Sequence, residues 1–221
     1  MEWLMGAAAL GLAAFFLFRG SAQASIPKPP QEGPPEPPGE PQPPQEGPGG
    51  LEPLPQPLDP LSAFLYMIRV AETGSRDEGA YSIYYGGSRF SSFADHPVAT
   101  GEKVGVKLPD RFCRAAGLAP GCVSTAAGAY QFILPTWRAV RQAGSWGPAL
   151  PDFGIDSQDE GARRLLLQSG ALAVLLAGNV EGAIARASSI WASLPGSTAQ
   201  QGGKTLDQAL ALYREGLEAQ G

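Results

Sequence analysis

Glu72 is a carboxylate at a position where helix geometry calls for an apolar side chain. Leu61, Phe64, Leu65 and Ile68 recur at three- and four-residue intervals and mark one face of a helix. Glu72 follows Ile68 by four residues and continues that face. Asp59 offers an N-cap, Pro60 suits the first turn and Gly74 suits the C-cap, so the helix is short and Glu72 falls in its last turn. The helix dipole favours cations at that end and gives the carboxylate nothing. Burial there disfavours the charged form and raises the pKa, which is what a general acid requires. A second role stays open at this point, with Glu72 as a cap or as the ion-pair partner of an arginine.

Residue counts restrict the other chemistry. His96 is the sole histidine, so no zinc site of ordinary spacing can be built, and no metal or cofactor is expected. A Ser-His-Asp triad would have to use His96 as its base, yet Asp95-His96-Pro97 reads as a turn. Cys113 and Cys122 lie in a stretch punctuated by Gly and Pro. They form either an intraloop disulfide in an oxidising compartment or two reduced, half-buried thiols.

The chain of 221 residues divides into three segments by composition. Residues 3–18 are an unbroken apolar run within a leading segment, 1–24. As a helix the run spans about 24 Å, slightly short of a roughly 30 Å hydrocarbon core. Trp3, Phe18 and Arg19 would suit its ends, so a single-pass membrane anchor is expected, with a cleaved signal peptide ending near Ala22-Gln23-Ala24 as the competing reading. Residues 25–60 hold 15 of the 22 prolines and the repeat PPQEGP, so they read as an extended polyproline spacer. The spacer also carries the whole net charge of −5, which leaves residues 61–221 neutral. Without a basic stripe, nucleic-acid binding is not expected.

Residues 61–221 are long enough for one core. After the Glu72 helix, Tyr81–Tyr85 and Ser88–Phe90 around Gly86-Gly87 predict a β-hairpin. Residues 98–123 read as loop with a short helix near Asp110–Ala116. From Tyr130 the pattern is helical: a helix bearing Trp137 and Val140, a capping box at Ser157 and Glu160 before a helix closed by Gly170, and a helix from Asn179 through Ile190. The last helix is capped by Thr205 and Gln208, with an apolar stripe of Leu206, Leu210, Tyr213 and Leu217. The fold class is therefore α+β, mostly helical with a small antiparallel sheet. No GxGxxG element is present, so nucleotide binding has no support.

Five segments in this order, AFLYMIRVAETG (63–74), FADHP (93–97), STAAGAYQF (124–132), DFGIDSQDEGA (152–162) and SSIWASLPG (188–196), resemble the lambda-phage lysozyme family of peptidoglycan lytic transglycosylases. The resemblance covers residues 61–218 and implies a lysozyme-like fold. It passes the family's catalytic glutamate to Glu72, because that residue lies in the segment ending here in AETG. In related transglycosylases a Gly-x-x-Gln element lines the sugar cleft, and Gly128-Ala129-Tyr130-Gln131 occupies that place. Gln131 both donates and accepts, as recognition of N-acetyl and hydroxyl groups requires. Ser124 and Thr125 are further candidates for the same wall, and Trp191 offers a flat face for a sugar ring. Core packing is the competing role for Tyr130 and Trp191, and a backbone hydrogen bond is the competing role for Gln131.

The resemblance implies cleavage between N-acetylmuramic acid and N-acetylglucosamine with closure of a 1,6-anhydro ring, needing one carboxyl group and no cofactor. A hydrolytic muramidase would need a second carboxylate, for which Asp77, Glu78 and Asp95 are the candidates. A noncatalytic wall-binding or structural membrane protein is the third reading. Two stretches depart from the family pattern: Val98–Val123 is long and holds both cysteines, and Gly196–Lys204 is rich in Gly, Ser and Gln. The expected partners are peptidoglycan strands and, through residues 3–18, a lipid bilayer. The expected location is a phage virion's internal membrane or the bacterial inner membrane, with the catalytic domain facing the wall.

Overall fold

The computed structural model describes residues 58–197 and 203–221. They form α1 (Pro60–Thr73), a 3-10 turn (Glu78–Ser82), β1 (Val106–Lys107), α2 (Asp110–Ala115), β2 (Val123–Ser124), α3 (Leu134–Val140), α4 (Ile155–Gln168), α5 (Ala171–Leu176), α6 (Val180–Ala187) and α7 (Leu206–Glu218). The two strands pair antiparallel, with Val106 opposite Ser124 and Lys107 opposite Val123. Among the described residues no helix is long and apolar enough to cross a membrane. The apolar run 3–18 and nearly all of the spacer lie outside the described residues.

α1 has the ends its sequence predicts. The Asp59 carboxylate accepts from the N–H groups of Leu61 and Ser62, and Gly74 closes the helix in the left-handed conformation with φ 72°. Its buried face carries Phe64, Met67, Ile68 and Glu72. α7 packs across it. A Cβ on Gly216 would sit 2.9 Å from the Ala63 carbonyl oxygen, so glycine is what lets the two helices approach this closely. The α7 capping box forms as expected, with Thr205 and Gln208 satisfying each other's backbone N–H. Its buried face, Ala209, Leu212, Tyr213 and Gly216, overlaps the predicted stripe: Tyr213 is buried, Leu210 and Leu217 pack half-buried against the core, and Leu206 is exposed.

Three other expectations need correction. The hairpin at 81–90 shrinks to one bridge, Ile83 to Arg89, because Tyr81 and Ser82 belong to the 3-10 turn. The regular strands lie instead in the stretch read as loop. α4 starts at Ile155, so Ser157 and Glu160 are inside it; the Ser157 hydroxyl donates to Asp152, and Glu160 pairs with Arg163 and Arg164. α6 ends at Ala187, short of Ile190, and α5 is a separate helix that begins after Gly170.

The core between the sheet region and α4 is aromatic. Trp137 and Phe153 meet edge to face with centroids 4.6 Å apart, and Phe132 and Phe90 close the cluster. Arg164 lies beneath it, almost wholly buried. Its guanidinium donates to Glu160 Oε1, Val140 O, Gln142 O and Pro148 O at 2.7–3.2 Å, tying the end of α3 and the following loop to α4. The charges are satisfied by geometry that only a planar fork can match.

Candidate active site

The last turn of α1 delivers Glu72 into the interior, where its side chain is 4% exposed. The last turn of α1 carries no base to offset it. Oε1 accepts from Ser193 Oγ at 2.5 Å and more weakly from Ser193 N at 3.4 Å. Burial pushes the carboxyl up to about 7, against the opposing pull of the two Ser193 hydrogen bonds. The alternative role as a cap or an arginine partner is therefore excluded by the observed contacts.

Glu72 lines a pocket with Tyr130, Gln131, Phe132, Thr136, Leu165, Ile190, Trp191 and Ala192. It is the one carboxylate among those residues. Tyr130 and Gln131 of that lining belong to the turn Gly128–Gln131. Gly128 has φ 77°, and a Cβ there would fall 2.1 Å from Gln158 Oε1, so the position requires glycine twice over. Gln158 is fully buried and fastens the turn to α4. Its Oε1 accepts from Ala129 N at 2.9 Å, while its Nε2 donates to Phe153 O and Tyr81 O.

Gln131 has φ 47°, the one non-glycine positive value among the described residues. Its Nε2 donates to Gly128 O at 2.8 Å and to Ile83 O at 3.4 Å, so only the carboxamide oxygen remains to meet a sugar. Tyr130 is buried, and its hydroxyl donates to Asp159 Oδ1 at 2.6 Å. Tyr81 donates to the same oxygen at 2.7 Å. Burial pushes Asp159 up despite these two donors, and it pushes Tyr130 up as well. Trp191 is buried too, with its indole N–H on Tyr130 O at 3.2 Å, so it serves as a wall of the pocket and not as an open platform.

The remaining candidates lie elsewhere. Ser124 is in β2 and accepts from Ala126 N; Thr125 accepts from Leu134 N at the start of α3. Neither lines the Glu72 pocket. Asp77 caps the 3-10 turn, where the Ser75 hydroxyl and Gly79 N–H hold it below the usual range. Burial raises Asp95, but donation from Trp137 and His96 N, together with the Arg141 charge, outweighs it and holds that carboxyl low. Glu78 is exposed on the 3-10 turn. His96 is neutral and structural: Nε2 meets Phe132 O, Nδ1 accepts from Val98 N, and burial keeps its pKa down. Cys113 and Cys122 are joined in a disulfide. Among the described residues no cluster of His, Cys, Asp or Glu could hold a metal ion.

Ser193, Gln158 and Asp159 were not singled out from sequence. Ser193 and the Gln158-Asp159 pair fall inside two of the recurring segments, SSIWASLPG and DFGIDSQDEGA, but nothing in their residue types sets them apart from surface polar residues.

The family model described as Endolysin matches residues 62–218. The chain is 34% identical to the endolysin of Escherichia phage P2 over 70% of its length and 90% of that protein. It is also 34% identical to the endolysin of Escherichia phage lambda, over 64% of this chain and 77% of the relative. A solved structure of bacteriophage lambda lysozyme complexed with a chitohexasaccharide superposes with a TM-score of 0.57 at 32% identity, covering 71% of this chain and 93% of that one. The helical fold with one two-stranded sheet is thus shared with lambda lysozyme. The expected membrane location is corrected by these findings. The matching relatives are phage endolysins, and among the described residues, which leave out the run 3–18, no helix is long and apolar enough to cross a membrane. The bilayer loses its support as a partner for the same reason.

Proposed function

The chain belongs to the endolysin family of peptidoglycan-degrading enzymes, and from that premise we propose that it is a lytic transglycosylase in which Glu72 is both acid and base. One observation carries this reading: Glu72 is the single carboxylate in its pocket, and burial raises it to about 7. At neutral pH a large fraction of such a carboxyl is protonated, which suits a general acid. It gives its proton to the glycosidic oxygen between N-acetylmuramic acid and N-acetylglucosamine as the C1–O bond breaks and its electron pair leaves with that oxygen. The muramic C6 hydroxyl oxygen then bonds to C1, and its proton passes to the Glu72 carboxylate. The product is a 1,6-anhydro ring, and Glu72 ends protonated as it began.

The lambda lysozyme structure holds a chitohexasaccharide, a β-1,4 chain of N-acetyl sugars. That supports a glycan cleft of the same kind here, with Gln131, Tyr130 and Trp191 lining the same pocket as Glu72. Ser124, which does not line that pocket, is proposed only for a part of the wall beyond it. A hydrolytic mechanism would need a second free carboxyl group near Glu72; Asp77 and Asp95 are each committed to several donors, and none of Asp77, Glu78 and Asp95 lines the Glu72 pocket. Residues 1–24, 25–60 and 61–221 are proposed as an apolar leader, a Pro-rich spacer and the catalytic domain. Mass spectrometry of digested peptidoglycan tests the reaction. Anhydro-muropeptides, each lighter by one water than the hydrolytic product, are expected; reducing ends in their place would overturn the transglycosylase reading.

A further inference from the structure

The two oxygens of Glu72 are not equivalent. Oε1 accepts the Ser193 hydroxyl at 2.5 Å, the length of a charge-assisted O–H···O bond, and the Ser193 backbone N–H points at the same oxygen from 3.4 Å. The Ser193 backbone N–H can only donate, so a carboxyl proton on Oε1 would face it, and the arrangement favours Oε1 as the acceptor. Ser193 is itself held in place. Its carbonyl accepts from Lys204 N at 2.7 Å, a Cβ on Gly203 would crowd that carbonyl at 3.0 Å, and the following Leu194 N is bonded to Trp191 O. The residue is 4% exposed.

We propose that Ser193 is a positioning residue for Glu72, holding Oε1 so that the transferable proton sits on Oε2 and the anion left after transfer already has its hydrogen bonds. The proposal rests on the reading of Glu72 as the acid. In the acid step the O–H bond at Oε2 breaks, while the Ser193 proton stays on Oγ throughout. Sequence places the two residues 121 positions apart, and only the fold brings them together.

Among the described residues no charged side chain is bonded to Glu72. Tyr130, the other titratable residue of the pocket, turns its hydroxyl to Asp159. On α1, the Arg69 guanidinium lies against the rings of Tyr66 and Tyr81 and donates to Arg76 O. On α4, Asp159 is held by Tyr81 and Tyr130; on α7, Glu215 is held by Tyr66 and Arg76; α5 has no titratable residue. Ser193 is thus the group that opposes the burial of Glu72.

The test compares the full-length protein with Ser193→Ala, Ser193→Cys and Ser193→Thr. Two quantities are read: the pH dependence of kcat and KM on soluble peptidoglycan strands, and the titration of the Glu72 carboxyl carbon by NMR. In Ser193→Ala the Glu72 midpoint and the alkaline limb of kcat should both rise by about one pH unit, equal to a tenfold change in proton affinity. kcat should fall roughly tenfold with KM within about twofold, since a charge-assisted hydrogen bond is lost while the sugar contacts are kept. Ser193→Cys, a weaker donor of similar size, should shift in the same direction by less, and Ser193→Thr should restore wild-type behaviour. A midpoint and limb that both stay fixed in Ser193→Ala would overturn the role of Ser193. A midpoint that moves while the limb stays fixed would instead overturn Glu72 as the acid. If Ser193→Ala fails to fold by circular dichroism, the Cys and Thr variants make the same comparison, and equal midpoints in those two overturn the proposal.

Discussion

Arg164 on α4 and Glu72 on α1 are both almost wholly buried, at 1% and 4% exposure, yet their surroundings differ in kind. Arg164 meets a carboxylate and three carbonyl oxygens, which leaves its donors satisfied and its charge paired. Glu72 meets one serine, has no cation beside it, and is pushed up to about 7. A buried charge with a full set of partners holds the structure together. A buried acid left short of partners keeps its proton near neutrality and can give it away. The lesson is that burial alone does not mark a functional charge; the completeness of its partners does.

That contrast is easiest to break at Glu72. Glu72→Gln should cut wall-clearing activity by about 10²–10⁴-fold, the range for loss of a general acid–base group, with no loss of thermal stability. Zymograms and calorimetry on the same preparation read both; activity near wild type would dissolve the contrast. Arg164→Met should do the reverse. Removing the buried guanidinium leaves three carbonyl oxygens without that donor, while Glu160 keeps Arg163, and should cost about 3–5 kcal/mol by urea unfolding. The alkaline limb of the protein that still folds should not move.

A pH series sharpens the comparison further. The folded protein binds the Glu72 proton more tightly than the unfolded chain does, because the pKa is raised from 4.5 to about 7. The stability this confers is complete below about 4.5 and is lost as pH rises through about 7. By pH 8 the buried charge should cost about 2–4 kcal/mol, so the stability advantage of Glu72→Gln over wild type should widen from pH 5 to pH 8. A constant difference across that range would show that Glu72 is not held protonated by burial. The smallest effect is expected at Glu160→Gln. Arg164 then keeps three carbonyl partners, and unfolding should show a loss of about 1–2 kcal/mol.

Local chemistry explains what was legible in the sequence. The Asp59 cap, the Gly74 terminus, the Thr205–Gln208 box and the misfit of Glu72 on its helix face all follow from residues within four or five positions of each other. The environment that raises the Glu72 carboxyl does not. Ser193 comes from far along the chain, and a serine among small residues gives no sign that it will meet a carboxylate. Gln158 and Arg164 look like the polar side of a surface helix, yet tertiary packing buries both and makes them fasteners. The two strands were unreadable for another reason: at two residues each, neither is long enough to show alternation. The α7 face was legible in part: Leu210, Tyr213 and Leu217 meet the core, but Gly216, which carries no hydrophobic signal, sits at the close approach to α1.

The 121-residue span between Glu72 and Ser193 bears on how the enzyme comes into being during synthesis. The carboxyl emerges from the ribosome early, in a helix with an unfinished pocket. Trp191, Ser193 and the Lys204 contact that fixes them follow only after more than half of the folded domain has been made. Such non-local contacts are formed late, because the long intervening loop must close first. A nascent or truncated chain that stops before residue 191 therefore lacks the Trp191 wall and the Ser193 hydrogen bond that surround Glu72 in the folded protein.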